Sequence, residues 1–204
     1  MPRSMASEEF RQSQWESRYA THVEPINRFV DRLASSSDVP RPPYVAPLYG
    51  GVNADLLNVL RDPGPMTQEG RGSGFICLEN DDPTAENMAN LLAAVGIPPS
   101  RAMLWNAYPW YINKAPTPAQ LRSGALVLTE VLRLMPKLRV VMLNGRDAQA
   151  MWEFARIQGA ELPAGAKVIS TFHTSRRALL PVAQRARVEA AFSEAARLLG
   201  GAVV

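Results

Sequence analysis

Polar side chains of the types that do chemistry follow short apolar runs at four places in this chain. They are Arg61–Pro65 after DLLNVL, Asn106–Trp110 after AMLW, Asn144–Arg146 in and after LRVVMLNG, and Phe172–Arg177 after KVIST. Together these places offer a carboxylate, Asp62, an amide, Asn106, and an imidazole, His173. A carboxylate can hold positive charge or activate water, an imidazole can give or take a hydrogen bond, and an amide presents donor and acceptor side by side. No separate pair of catalytic carboxylates stands out, although Glu69 and Glu79 lie on the long loop after the first place.

Other chemistries are excluded by what is missing. Ser175 follows its apolar run without the Gly-x-Ser-x-Gly setting of a nucleophile elbow, so covalent hydrolysis through it is not expected. GRGSG, residues 70–74, lacks the lysine of a phosphate-binding loop, and GRDAQA, residues 145–150, is no dinucleotide fingerprint. The single cysteine, Cys77, excludes an internal disulfide, a four-cysteine zinc site or an iron–sulfur cluster within one chain. Without a base partner in sight it reads as a small apolar residue. Two histidines, His22 and His173, leave little material for a histidine-rich metal site, and no metal or cofactor is expected.

Convergence of four distant places requires a particular scaffold. The apolar runs at 55–60, 102–105, 138–145 and 167–171 read as buried strands, and helices are expected over 84–95, 118–134, 147–157 and 181–199. Strands apolar on both faces and separated by helices predict an α/β fold, a three-layer α/β/α sandwich around a short, mainly parallel four-stranded sheet. Ligands of such sheets sit beyond the carboxyl ends of the strands, where all four polar places fall. Ahead of the sheet, Trp15, Tyr19, Val23, Ile26, Phe29, Val30 and Leu33 recur at helical spacing, so one helix is expected over about 8–34. SSSDVPRPPYVAPLYGG, residues 35–51, then reads as an ordered connection wrapping the domain.

The chain has 204 residues, 47% of them hydrophobic, which suffices for one core, and a single domain over 1–204 with an N-terminal helical extension is the economical reading. No stretch approaches the ~18 apolar residues of a membrane span. The start, MPRSMASEEF, lacks the apolar centre of a signal peptide, so a cytoplasmic location is expected. The net charge of +3 is unevenly laid down: residues 1–120 carry 10 basic and 13 acidic side chains, residues 121–204 carry 12 and 6. A basic C-terminal part permits a face that attracts a polyanion, and arginine-rich solvated helices would produce the same count.

The motifs, in their order and strand-end placement, resemble those of the uracil-DNA glycosylase superfamily over about residues 50–200. LNVLRDPGP, residues 57–65, is similar to the first strand and motif of these enzymes; its Asp-Pro matches the classical branch. The Gly-Pro and long loop that follow resemble the mismatch-specific and single-strand-selective branches. MLWNA, residues 103–107, resembles the strand ending in the asparagine that reads uracil, and FHTSRR, residues 172–177, the His-Pro-Ser motif with Thr174 in place of proline. Arg61 and Thr174 depart from the pattern. The absence of further cysteines separates the chain from the cluster-bearing members.

The resemblance implies a monofunctional glycosylase that hydrolyses the N-glycosidic bond of uracil, or another deaminated base, in DNA and leaves an abasic site. Asp62 and His173 would be catalytic, the first stabilising the sugar cation and positioning water, the second donating to the base. Gly64, Pro65, Phe75 and Asn106 would bind the base, with Phe75 stacking on its ring. Tyr108, Trp110 or the loop 66–79 would form the wall at its C5 position. Ser175, Arg176 and Arg177 would contact DNA, single- or double-stranded, around a flipped nucleotide. No lysine nucleophile is placed at the site, so strand cleavage through a Schiff base is not expected; Lys114, the only lysine on a rim loop, is the one residue that would allow it. Nothing demands a partner chain, and a monomer is expected. A damaged-DNA binding module with weak or absent catalysis is the alternative. Taken singly, Asp62 before Pro63 also suits a turn, Asn106 a loop cap, His173 a satisfied interior imidazole and Phe75 a loop anchor.

Overall fold

A proline sets the first departure from the expected elements. In the computed structural model, which describes residues 3–35 and 41–200, the N-terminal stretch forms two helices, α1 (Glu8–Glu16) and α2 (Glu24–Ser35), where one was expected. A continuous helix would drive the Pro25 ring into a carbonyl one turn earlier and lose an N–H, whereas the first turn of α2 tolerates it. Residues 36–40 of the connection lie outside the described residues; its remainder carries β1 (Tyr44–Val45). Buried Asn27 fastens α2 to this segment, donating to the carbonyls of Arg18 and Val45 and accepting the Val45 N–H.

The main sheet begins with β2 (Leu56–Leu60). After it, the long loop contributes β3 (Phe75–Ile76), which pairs in parallel with β1. Next come α3 (Pro83–Ala94), capped by Asp82, and β4 (Ala102–Asn106). Helix α4 (Pro118–Arg133) opens on a capping box between Thr117 and Gln120. It leads to β5 (Val140–Asn144), α5 (Arg146–Ile157) and β6 (Lys167–Thr171). A single turn, α6 (Arg176–Leu179), precedes α7 (Val182–Leu198).

The four strands are all parallel, in the order β4-β2-β5-β6. Helices α4 and α5 pack together, α5 against β2 and β5; α3 packs on α7, which lies along β5 and β6. The result is the expected α/β sandwich. One expectation fails at the edge: β6 is not apolar on both faces, since Lys167, Val168 and Ser170 are exposed. The central strand β2 has its first four residues buried. It is also where the connections reverse, because the chain goes outward from β2 to β4 and then returns to β5 on the other side of β2. A crevice opens at such a reversal, beyond the strand ends. Among the described residues, no helix is long and apolar enough to cross a membrane.

Candidate active site

The crevice is a cavity of about 450 Å³. It takes in Asp62, Gly64, Pro65, Asn106, His173 and Ser175 from the residues that the sequence selects, joined by Arg61, Asn144 and Gly145. Residues more than a hundred positions apart thus meet because four parallel strands end at one edge.

Asp62 leaves the end of β2 at the point where Pro63 stops the ladder. Its side chain is 3% exposed. One carboxylate oxygen accepts from Arg61 Nε at 2.5 Å, and the other from the Asn113 backbone N–H at 3.0 Å. Asn113 reaches it from the loop after β4 with a φ of 50°, in the left-handed region that asparagine tolerates. Asn106 ends β4 opposite Leu60. Past the strand ends, Ala107 N–H donates to the Leu60 carbonyl at 2.7 Å and Tyr108 N–H to the Arg61 carbonyl at 3.0 Å. The backbones carrying Asp62 and Asn106 are therefore stitched together. Among the described residues none hydrogen-bonds to the Asn106 side-chain amide, which is almost wholly buried and lines the cavity.

His173 follows β6 by two residues. The Ser175 backbone N–H donates to its Nδ1 at 3.0 Å, so in the neutral ring Nε2 carries the hydrogen. Burial pushes the imidazole below its usual value of 6.5, and the positive charge of Arg61 pushes in the same direction; the carboxylates of Asp62, Asp82 and Asp147 pull weakly against both. The ring is accordingly a neutral hydrogen-bond donor at neutral pH. Its loop is held by Asn87 of α3, whose amide donates to the Thr174 carbonyl at 2.9 Å. Gly145, with a φ of 100°, lets this loop approach, since a Cβ there would stand 3.2 Å from His173 Cβ. Thr174 itself is fully buried and its hydroxyl has no protein partner.

Phe75 lies elsewhere. Its ring is fully buried and packs edge-on against Trp15 at 5.0 Å, with Tyr44 beside it, so it is part of the core and not a wall of the cavity. The next three residues, Ile76, Cys77 and Leu78, line the cavity instead. Burial raises the Cys77 thiol well above its ordinary value, in keeping with an inert packing role. Tyr108 and Trp110 pack on one another and do not face the cavity. The loop acids also point elsewhere: Glu69 pairs with Arg41, and Glu79 accepts from buried Tyr49. Arg176 and Arg177 are exposed on α6, outside the cavity, with Ser175 capping that turn. Lys114 is exposed and does not line the cavity. Among the described residues, no group of three or more His, Cys, Asp or Glu side chains could hold a metal ion.

Two contributors carried little signal in the sequence. Asn113 sits in an irregular loop 51 residues from its partner. Arg61 was visible only as a departure from a motif.

The uracil DNA glycosylase superfamily, as a family model, matches residues 47–197. The chain belongs to the uracil DNA glycosylase superfamily. The matched region starts just before the main sheet and ends in α7, so it contains every residue of the cavity, while α1, α2 and β1 precede it. No curated protein matches the sequence. In this superfamily member the strand-end carboxylate, amide and imidazole share one crevice, with the imidazole's donor nitrogen determined by the backbone around it.

Proposed function

We propose that the chain is a monofunctional DNA glycosylase that removes uracil, or another deaminated base, from DNA by hydrolysis and leaves an abasic site. The observation that carries this is the meeting of Asp62, Asn106 and a neutral, Nε2-protonated His173 in one cavity of a superfamily member. Its volume lies in the range of small-ligand pockets.

In this reading a flipped nucleotide enters base first. As the C1′–N bond breaks, its electron pair leaves with the base and positive charge grows on the sugar. Asp62, fixed from both sides by Arg61 and Asn113, lies against that charge and orients the water whose oxygen bonds to C1′. His173 donates from Nε2 to the base oxygen that gathers negative charge. Asn106 pairs with the polar edge of the base, and Ile76, Cys77 and Leu78 make the wall that faces its ring substituents. The Gly64–Pro65 turn supports placement near the mismatch-specific and single-strand-selective branches. DNA is the partner, with Ser175 of the cavity lining and the exposed Arg176 and Arg177 that follow it meeting the backbone.

The test is release of free base from single- and double-stranded oligonucleotides carrying uracil, thymine opposite guanine, hypoxanthine or xanthine, read after alkaline cleavage. Uracil release is expected, with Asp62→Asn and His173→Ala each slower by about 10²-fold or more. Binding without product from any of them would replace the enzyme by a damaged-DNA binding module.

A further inference from the structure

Arg61 has no place in the roles above beyond holding Asp62. Its Nε donates to Asp62, yet neither terminal guanidinium nitrogen has a partner among the described residues. The side chain is 40% exposed, and it lines the cavity with Asp62, Asn106 and His173. At the His173 ring its charge acts more strongly than that of any of the three carboxylates nearby. Burial first and then this cation keep the imidazole neutral, and a neutral donor brings no net positive charge to an anion forming in front of it.

We propose that Arg61 is a catalytic residue whose free guanidinium N–H groups face the departing base and stabilise the negative charge it acquires, a role shared with the neutral Nε2–H of His173. The proposal rests on the glycosylase reading. In the step concerned, the C1′–N electron pair passes to the base, water adds to C1′ and loses a proton to solvent, and the released base anion is protonated by solvent. Arg61 neither gains nor loses a proton. It serves both charges of the transition state at once, the carboxylate that faces the sugar through Nε and the base through its terminal nitrogens. Guanidinium suits this because its donors are fixed in one plane and it stays charged at any working pH.

The experiment compares the full chain with Arg61→Gln and Arg61→Lys in single-turnover cleavage of otherwise identical oligonucleotides carrying uracil or 5-fluorouracil. Fluorine already stabilises the departing anion, so that base has less need of help. Arg61→Gln is expected to slow uracil release by about 10²-fold and 5-fluorouracil release by only about 10-fold. Arg61→Lys should recover part of the uracil rate, and thermal melting confirms that both variants are folded. Equal losses for the two bases would overturn the assignment. So would a loss confined to KM with a changed salt dependence, which marks a phosphate contact. If the unsubstituted chain releases neither of these bases, nor thymine opposite guanine, hypoxanthine or xanthine, the glycosylase reading itself has failed and this role falls with it; release of one of the others but not of these two would overturn the role alone.

Discussion

The Ser175 N–H on His173 Nδ1 ties the protonation state of one ring to the fold. An imidazolium has hydrogens on both nitrogens, so protonation sets donor against donor at Nδ1, in a buried site already facing Arg61. The native pKa is depressed below 6.5, so between that lower value and 6.5 the unfolded chain binds more protons than the folded one. Stability is therefore fully present above about 6.5 and is lost as pH falls through the native value; urea titrations across this window should show it, and His173→Gln should remove it. The rate of base release should likewise hold level through neutrality and fall on the acid side of 6.5. Gly145→Ala is expected to slow release by about 10-fold and to cost about 1–3 kcal/mol in urea melts, because the added methyl needs a strained φ and meets His173. At this scale Asp62, Asn106 and His173 were legible because strand ends are recognisable in sequence. Phe75 was misplaced because its partners, Trp15 and Tyr44, come from segments with no motif to tie them to it.

Elements show the same division. The four main strands and the four large helices that pack on them fall within a few residues of the segments that predict them; for β2, β4 and β5 burial on both faces leaves a plain pattern. The two-residue strands β1 and β3 carry no periodicity at all, and of the break between α1 and α2 the sequence marks only the restart, with Pro25 in the first turn of α2. One contact between elements bears directly on the site. Gly124 lies inside α4, where a Cβ would stand within 1.8 Å of the Ala107 carbonyl oxygen, next to Asn106. Glycine in a helix interior is ordinarily unfavourable, but here alanine would force the helix off the backbone that leads into Asn106. Gly124→Ala should destabilise by about 1–3 kcal/mol in denaturant melts and reduce base release as well. Trp15→Ala should cost about 2–3 kcal/mol, by removing the ring packed on Phe75 and the indole N–H bond to the Ser73 carbonyl. Its effect on the rate should be smaller than that of Gly124→Ala, since Trp15 touches the back of the loop and not the cavity.

For the whole molecule, the excess of positive charge in residues 121–204 has a partial location in space. Arg176 and Arg177 stand exposed on α6, directly after Ser175 of the cavity lining; Arg146 is part of that lining, and Arg185 and Arg187 lie on the following helix. If these meet phosphates, replacing Arg176 or Arg177 by glutamine should weaken oligonucleotide binding uniformly across sequences and lower the slope of log K against log salt by about 1. Fluorescence anisotropy over a salt series measures this. The parallel arrangement was legible from strands alternating with helices, whereas the strand order was not, because no local pattern says which side of β2 a later strand will take.

That order has a consequence for how the chain comes together during synthesis. One of the two interior strands, β2, is the first of the four to be made, and both of its neighbours come later, β4 from residue 102 and β5 from residue 140. Until then β2 has neither flank covered, and the helices before it wait for Phe75 to give their aromatic side chains a surface. Closure of long loops must precede the contacts that repay it. A ribosome that stalled before residue 144 would hold a chain with Asp62 and Asn106 already made, but with β6 and His173 still to come. The site is thus completed late, when the edge strand docks and carries His173 to the other two, with only α6 and α7 still to follow.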